Sequence, residues 1–352
     1  MIGRVIKGIG GFYFVHDGKK AVMGKARGNL KRNKELIYVG DIVDFEIDEH
    51  DCDRECVINR VVERRNFMTR PPVSNLDMLV VVFSVKEPDV NYPVIDKLLA
   101  GCELKGITPA VCITKKDLVS SEELESAMEI YRGIYPVVSV NGNTGEGLED
   151  LREIIRGRNV ALAGPSGVGK STLTNLLHGD AYAAGNVAAE NDTSDTAATA
   201  DADKEHFSDT RNAADAAADP AREGRTAVEA QGRAGSFASI RTRVETGNIS
   251  DKTGRGRHTT RHVEIFDLGD GTYLYDTPGF TSIDMPETEV TAVRALFPEM
   301  REPGQLCRYR DCLHINEPDC EVKEALERGE IHRSRYNSYL MMIEEVRKWK
   351  KL

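Results

Sequence analysis

The 352-residue sequence has no apolar run approaching the roughly 18 residues that cross a bilayer. From Met1 to Gly11 no charged region leads into an apolar stretch, so no secretory signal is expected either. A cytoplasmic protein without membrane contact is the expectation. Positive charge is also in short supply. The net charge of −10 argues, on its face, against nucleic acid. The placement of the charges argues otherwise. Asp17 to Lys34 carries Lys19, Lys20, Lys25, Arg27, Lys31, Arg32 and Lys34 against one acid, while much of the acidity sits between Asp180 and Glu229. Salt screens charges beyond about 10 Å, so a local basic patch can hold phosphates on an acidic protein. A solvated basic face is the plainer reading of the same residues.

The seven cysteines do not suggest a disulfide framework. Cys102 and Cys112 sit in apolar surroundings and read as core residues. Cys52 and Cys56 flank an acidic stretch without further partners, a weak metal signal. Cys307, Cys312, His314 and Cys320 are different. Three thiolates and one imidazole within 14 residues make the closed Cys₃His set of a structural zinc site. Such a metal supplies much of a small module's folding energy.

With 40% hydrophobic and 30% charged residues, the chain is ordinary in composition and too long for one core. From Gly3 to about Arg65, short alternating runs separated by turns predict a small barrel, the OB-fold first among candidates. Phe12–Val15, Ile37–Val39, Ile42–Phe45 and Cys56–Ile58 are expected strands, and Thr69 to Pro72 reads as a linker. From Leu76 the texture becomes α/β. The apolar runs Met78–Ser84, Thr108–Thr114, Tyr135–Ser139 and Asn159–Ala163 predict parallel strands buried on both faces. Helices are expected at Val94–Lys105, Ser121–Gly133 and Gly147–Arg156 between them. Residues 181–238 are rich in alanine and acids with scarcely a bulky apolar side chain, and read as a disordered insertion. Tyr336, Leu340, Ile343, Val346 and Trp349 have helical spacing and run into Lys348, Lys350 and Lys351, which predicts a packing helix with a basic end. The units expected are 1–69, a barrel; 70–285, an α/β domain carrying the insertion; and 286–352, a mostly helical zinc module.

Gly164-Pro165-Ser166-Gly167-Val168-Gly169-Lys170-Ser171-Thr172 follows an expected strand and opens an expected helix, the setting a phosphate-binding loop requires. Glycines let backbone N–H groups converge on phosphates at the positive end of the helix. Lys170 is placed to reach the β- and γ-phosphates and Ser171 to ligate Mg²⁺. Asp276-Thr277-Pro278-Gly279 supplies a carboxylate for Mg²⁺ at a strand end and a glycine N–H for the γ-phosphate. Thr114-Lys115-Lys116-Asp117 ends another strand. Its carboxylate can accept two hydrogen bonds from guanine, and adenine offers no such pair. Lys115 would lie along the base, and Ser139, ending the next strand, suits a contact to it.

The order of these motifs is unusual. The guanine-reading motif and Ser139 precede the phosphate loop, Asp276 to Gly279 come last, and no Asn/Thr-Lys-x-Asp occurs beyond Gly279. The chain resembles the circularly permuted GTPases and, among them, the bacterial ribosome small-subunit-dependent GTPase A family. Arg64 to Asp77 resembles that family's junction between barrel and GTPase. Gly254-Arg255-Gly256-Arg257-His258-Thr259-Thr260-Arg261 is similar to its switch I signature, and Cys307 to Cys320 to its zinc motif. The resemblance spans nearly the whole chain outside 181–238 and departs from the commonest GTPase pattern at Thr114, where asparagine is more usual.

The resemblance implies a GTP hydrolase acting in late maturation of the small ribosomal subunit, as a monomer. Barrel and zinc module would grip ribosomal RNA, with Arg27, Lys31 and Arg32 on phosphates. It implies a catalytic role for His258, since Phe280 occupies the position where many GTPases orient water with glutamine. On chemistry alone His258 suits an RNA contact or a hydrogen-bonded loop equally. Thr260, or its neighbour Thr259, would sense Mg²⁺. Two rivals stay open: an ATPase or small-molecule kinase, which leaves Thr114 to Asp117 without a role, and a binding module in which hydrolysis is incidental.

Overall fold

The computed structural model describes residues 1–32, 35–47, 55–69, 71–179, 263–277 and 289–349. The expected insertion, the switch I segment with His258, Thr259 and Thr260, and Gly279 and Phe280 lie outside the described residues.

The N-terminal strands are β1 (Ile2–Ile9), β2 (Phe12–His16), β3 (Ala21–Ala26), β4 (Ile42–Ile47) and β5 (Cys56–Val61), with the short helix α1 (Gly28–Arg32) after β3. They pair in the order β1-β2-β3-β5-β4 and close through β1–β4, giving the expected five-stranded OB-type barrel. Val5, Val15, Leu30, Val43, Phe45, Cys56 and Ile58 fill it. Gly24 explains how β3 meets β5: a Cβ there would stand 2.0 Å from the Cys56 carbonyl oxygen. Ile37–Val39 is not a strand. It contributes one bridge, Val39 to Val73, because Tyr38 N is taken by the buried Asp41 carboxylate at 2.8 Å. The expected linker is also packed structure. β6 (Phe67–Thr69) and β7 (Pro72–Ser74) form a hairpin that buries Met68 and Val73 in the central core.

The central elements are β8 (Met78–Ser84), α2 (Tyr92–Lys105), β9 (Thr108–Thr114), α3 (Ser121–Glu129), β10 (Val137–Val140), α4 (Leu148–Ile155), β11 (Asn159–Ala163), a helix α5 over 170–179, β12 (Glu264–Gly269) and β13 (Thr272–Asp276). The strand order is β10-β9-β8-β11-β13-β12, parallel except for β12. The continuous apolar run of β8 serves both faces. Leu79, Val81 and Phe83 enter the core under α2 and α3, and Met78, Val80 and Val82 the core under α4 and α5. Helix ends obey local chemistry. Ser120 and Glu123 form a capping box at α3, and Gly106 closes α2 in the left-handed region.

The sheet continues from β12 into β1, so barrel and α/β unit share one hydrogen-bonded surface. Arg4 of β1 donates to Asn159 Oδ1 and, at 3.3 Å, to Tyr275 Oη. Asn159 in turn donates to Asp77 at 2.7 Å.

The C-terminal part is helical: α6 (Val290–Val293), α7 (Pro298–Gln305), α8 (Glu321–Glu327) and α9 (Arg333–Trp349). Tyr336, Ile343 and Val346 bury one stripe of α9, as the spacing predicts. Arg335 is buried as well, its exposure 1%. It donates to Asp96 of α2 at 2.7 Å and to Glu299 of α7 at 2.7 and 3.2 Å, under the Phe297 ring at 4.7 Å. No described helix is long and apolar enough to cross a membrane.

Candidate nucleotide site and metal cluster

Parallel strands leave a row of chain reversals at their C-terminal edge, where ligands of α/β proteins bind. Here β10, β9, β8, β11 and β13 all end on one edge. Thr114 closes β9, Gly164 follows β11, and Asp276 closes β13, the neighbour of β11. Motifs far apart in sequence thus meet through sheet order.

The loop 164–169 leads directly into α5, whose Leu173 and Leu177 anchor it in the core. Gly164 takes φ 146°, and a Cβ there would meet Val82 O at 1.9 Å, so the turn admits only glycine. Lys170 Nζ donates to the carbonyls of Gly164 at 2.8 Å and Pro165 at 2.6 Å, folded over its own loop. Burial pushes its ammonium down to about 8. Pro165, Ser166, Gly167, Ser171 and Thr172 are partly exposed along the same loop, while Val168 is buried beneath it.

Thr114 is 3% exposed, and its hydroxyl donates to the carbonyl of Val168, within reach of Phe83 O at 3.2 Å. The loop opened by Thr114 is therefore latched to the glycine-rich loop 164–169 by one hydroxyl. Lys115 sits in the left-handed region at φ 55° and donates to Glu87 O. Lys116 pairs with Glu146 at 2.7 Å. Asp117 is exposed, and Asn143 Nδ2 lies 3.5 Å from its carboxylate.

Ser139 lies opposite Ile113, and the side chain that meets Asp117 comes from the following loop. Asn141 shapes that loop, its Oδ1 accepting from Asn143 N at 2.9 Å and Thr144 N at 3.3 Å. Gly142 packs this loop against Thr172 of α5. Asn141 and Asn143 were missed in sequence, where Asn-Gly-Asn-Thr-Gly reads only as a turn. Asp276 stands opposite Glu264 in the β12–β13 pair, and burial with that neighbouring charge lifts its carboxyl to about 6. A nearby divalent cation inverts that balance and favours the carboxylate.

Cys307, Cys312, His314 and Cys320 converge, their ligand atoms all within 4.8 Å of one another. Tetrahedral zinc with Zn–S near 2.3 Å and Zn–N near 2.05 Å demands edges of about 3.8 Å between sulfurs and about 3.6 Å from sulfur to nitrogen. Cys312–Cys320 and Cys307–Cys320 measure 3.8 and 3.9 Å. His314 Nδ1 lies 3.5 and 3.4 Å from Cys307 and Cys320. The residues fit the metal. Tyr336 and Tyr339 of α9 donate to the carbonyls of His314 and Leu313 at 2.5 and 2.6 Å, tying the cluster to the helix. Burial, helped by Arg294, pushes the His314 imidazole down to about 4, which keeps it in the neutral ligating form.

Of the residues expected on RNA, Arg27, just before α1, and Arg32, its last residue, are exposed, and the side chain of Lys31 is not among those described.

The profile of the RsgA GTPase family matches residues 61–203 and 236–286, and that of the RsgA N-terminal domain residues 2–52. The chain is 34% identical to the small ribosomal subunit biogenesis GTPase RsgA of Caldanaerobacter subterraneus subsp. tengcongensis, over 99% of this chain and 97% of that one. This chain belongs to the RsgA GTPase family. The relative of the same name from Agathobacter rectalis is 33% identical, over 99% of this chain and 98% of that one. The crystal structure of YjeQ from Thermotoga maritima is similar at 28% identity and TM-score 0.68, covering 98% of each chain. That of YloQ, described as a circularly permuted GTPase, is similar at 26% identity and TM-score 0.65, covering 99% of this chain and 95% of the other. Family membership makes the protein a GTPase, and the permuted order of motifs along one sheet edge agrees with it.

Proposed function

We propose that this GTPase acts in late maturation of the small ribosomal subunit, binding the subunit through its RNA and turning over faster when bound. The latch from Thr114 to the Val168 carbonyl carries the GTP reading, because it joins a guanine-reading loop to a phosphate loop across a permuted chain. An ATPase or kinase reading leaves that joint unexplained. The subunit as partner is supported by the names of the relatives.

The assigned roles follow. Gly164 to Thr172 cradle the phosphates, with Lys170 neutralising the β- and γ-phosphates. Thr114 to Asp117 and Ser139 hold the base, Asp117 taking the guanine N–H pair. Ser171, Asp276 and Thr260 would hold the Mg²⁺ that accompanies GTP, and the ion would supply charge neutralisation at the phosphates. Gly279 meets the γ-phosphate, and His258 positions the attacking water in place of the side chain that Phe280 lacks. With the β6–β7 hairpin straddling the first boundary, the chain divides into units 1–69, 70–285 and 286–352. The last is organised by one structural zinc on Cys307, Cys312, His314 and Cys320. Arg27, Lys31 and Arg32 contact RNA phosphates. The protein works as a cytoplasmic monomer.

The test is GTP turnover with and without purified small subunits. Stimulation of about tenfold, equivalent to about 1.4 kcal/mol, is expected, and His258→Ala should remove the stimulation while leaving GTP affinity within a few-fold. Turnover indifferent to subunits would refute the partner. Full stimulation in His258→Ala would refute the catalytic assignment alone.

A further inference from the structure

The end of β13 that carries Asp276 is joined to the barrel by a row of side chains. β1 meets β12 with Lys7 opposite Glu264, and β12 meets β13 with Glu264 opposite Asp276. Opposed residues of antiparallel strands point to the same face with Cβ atoms about 4.5–5.5 Å apart. Lys7, Glu264 and Asp276 therefore form a line across three strands, one cation followed by two carboxylates. Lys7 Nζ lies 2.8 Å from Glu264 Oε2. Glu264 Oε1 is buried and has no hydrogen-bond partner among the described residues. A half-satisfied carboxylate held beside a second carboxylate is costly to fold. An ion pair serving only to hold β1 against β12 does not call for that neighbour.

We infer that Glu264 is a positioning residue for the cation end of the nucleotide site, adding its charge to the hold of Asp276 on Mg²⁺, with Lys7 of the barrel setting how much of that charge is felt. The inference rests on the reading of Asp276 as the Mg²⁺-facing carboxylate. It makes a barrel side chain part of the electrostatics of the GTPase site. Lys7 and Glu264 keep side-chain exposures of only 24% and 13%, so water screens the row weakly.

The experiment follows binding of a fluorescent GDP analogue against Mg²⁺ concentration, with no turnover involved. A unit charge about 6 Å from a divalent cation is worth roughly tenfold in a water-like dielectric, falling to roughly threefold once salt screens it. Glu264→Gln should therefore raise the Mg²⁺ half-saturation at least about threefold, with analogue binding in EDTA no weaker than in the wild type. Lys7→Met should lower it. The charge swap Lys7→Glu with Glu264→Lys restores an ion pair but sets a cation beside Asp276. It should raise the half-saturation further than Glu264→Gln does. A swap that returns to the wild-type value would show the pair to be purely structural and overturn the inference. Lys7→Met keeps the test decisive if Glu264→Gln fails to fold, since an unchanged half-saturation in it refutes the charge coupling. Asp276→Asn separates the two failures. If it leaves Mg²⁺ dependence intact, the reading of Asp276 is wrong. If it abolishes that dependence while Glu264→Gln stays within twofold of wild type, only the coupling is wrong.

Discussion

Thr114→Val removes a hydroxyl and little else, so it isolates the latch between the base-reading and phosphate-binding loops. The side chain is 3% exposed, so water has little access from that side to replace the donor lost to the Val168 carbonyl. Leaving a buried acceptor unpaired costs about 1–3 kcal/mol. Where that cost falls depends on when the bond is made. A latch formed equally with and without nucleotide puts the whole loss into unfolding. A latch that tightens as the loop closes on phosphate puts part of it into affinity, and about 1.4 kcal/mol there weakens GDP binding tenfold. The expected outcome is urea unfolding lowered by about 1–2 kcal/mol and GDP affinity reduced by about 2- to 10-fold. Turnover at saturating GTP should change little, because the hydroxyl is engaged with the Val168 carbonyl and its loss falls on stability and affinity. Thr114→Ser keeps the hydroxyl and should retain most of the affinity. Thr114→Val matching wild type in both assays would refute the latch, and so would Thr114→Ser failing as badly as Thr114→Val.

Arg335→Leu should destabilise the chain by about 3–5 kcal/mol in urea unfolding, since it strands the buried Asp96 and Glu299 carboxylates; a loss under about 1 kcal/mol would mean that one of them takes up a proton cheaply. Purified protein should carry one zinc per chain by metal analysis, and Cys312→Ser should loosen the C-terminal helices while nucleotide still binds. Protein prepared without chelators and yet free of zinc would refute the site. Lys170 adds a pH signature. Its folded pKa, near 8, lies below the usual lysine value, so between about pH 8 and 10.5 the unfolded chain binds more protons and stability of the free protein rises with pH. Phosphates reverse this by favouring the ammonium, so nucleotide binding above about pH 8 should take up a proton, measurable by calorimetry in buffers of differing ionisation heat. Equal heats across those buffers would contradict it.

The legible parts of this molecule are those whose physics is local in sequence. β8, β9 and β11 are unbroken apolar runs because both faces of a parallel strand are buried, and each chemical motif sits just past such a run. The barrel was harder. β1 and β3 are interrupted by Gly3, Gly8 and Gly24, and close approach to a neighbouring strand, the reason for Gly24, leaves no trace in sequence. The linker expected at Thr69 to Pro72 shows the converse error. Two prolines end regular structure locally, but a hairpin supplies Met68 and Val73 to a core assembled from α2, β8 and β9.

The charged residues at the joints were illegible for a further reason. Arg335 sits one position from the apolar stripe of α9 and reads as solvent-facing, yet its partners are 239 and 36 residues away. Lys7 and Glu264 are separated by 257 residues, and neither lies in a motif. Circular permutation sharpens this effect. It leaves each motif intact, because a motif needs only its own strand and loop, but it changes the order in which groups that must act together occur along the chain. Thr114 must find Val168, and Asp276 must find the phosphate loop, through the order of strands in the sheet. Beyond β12, long-range partners such as Arg4 with Asn159 and Lys7 with Glu264 hold β1 against the central unit. The barrel is thus tied by side chains to the same sheet whose C-terminal edge carries the phosphate loop.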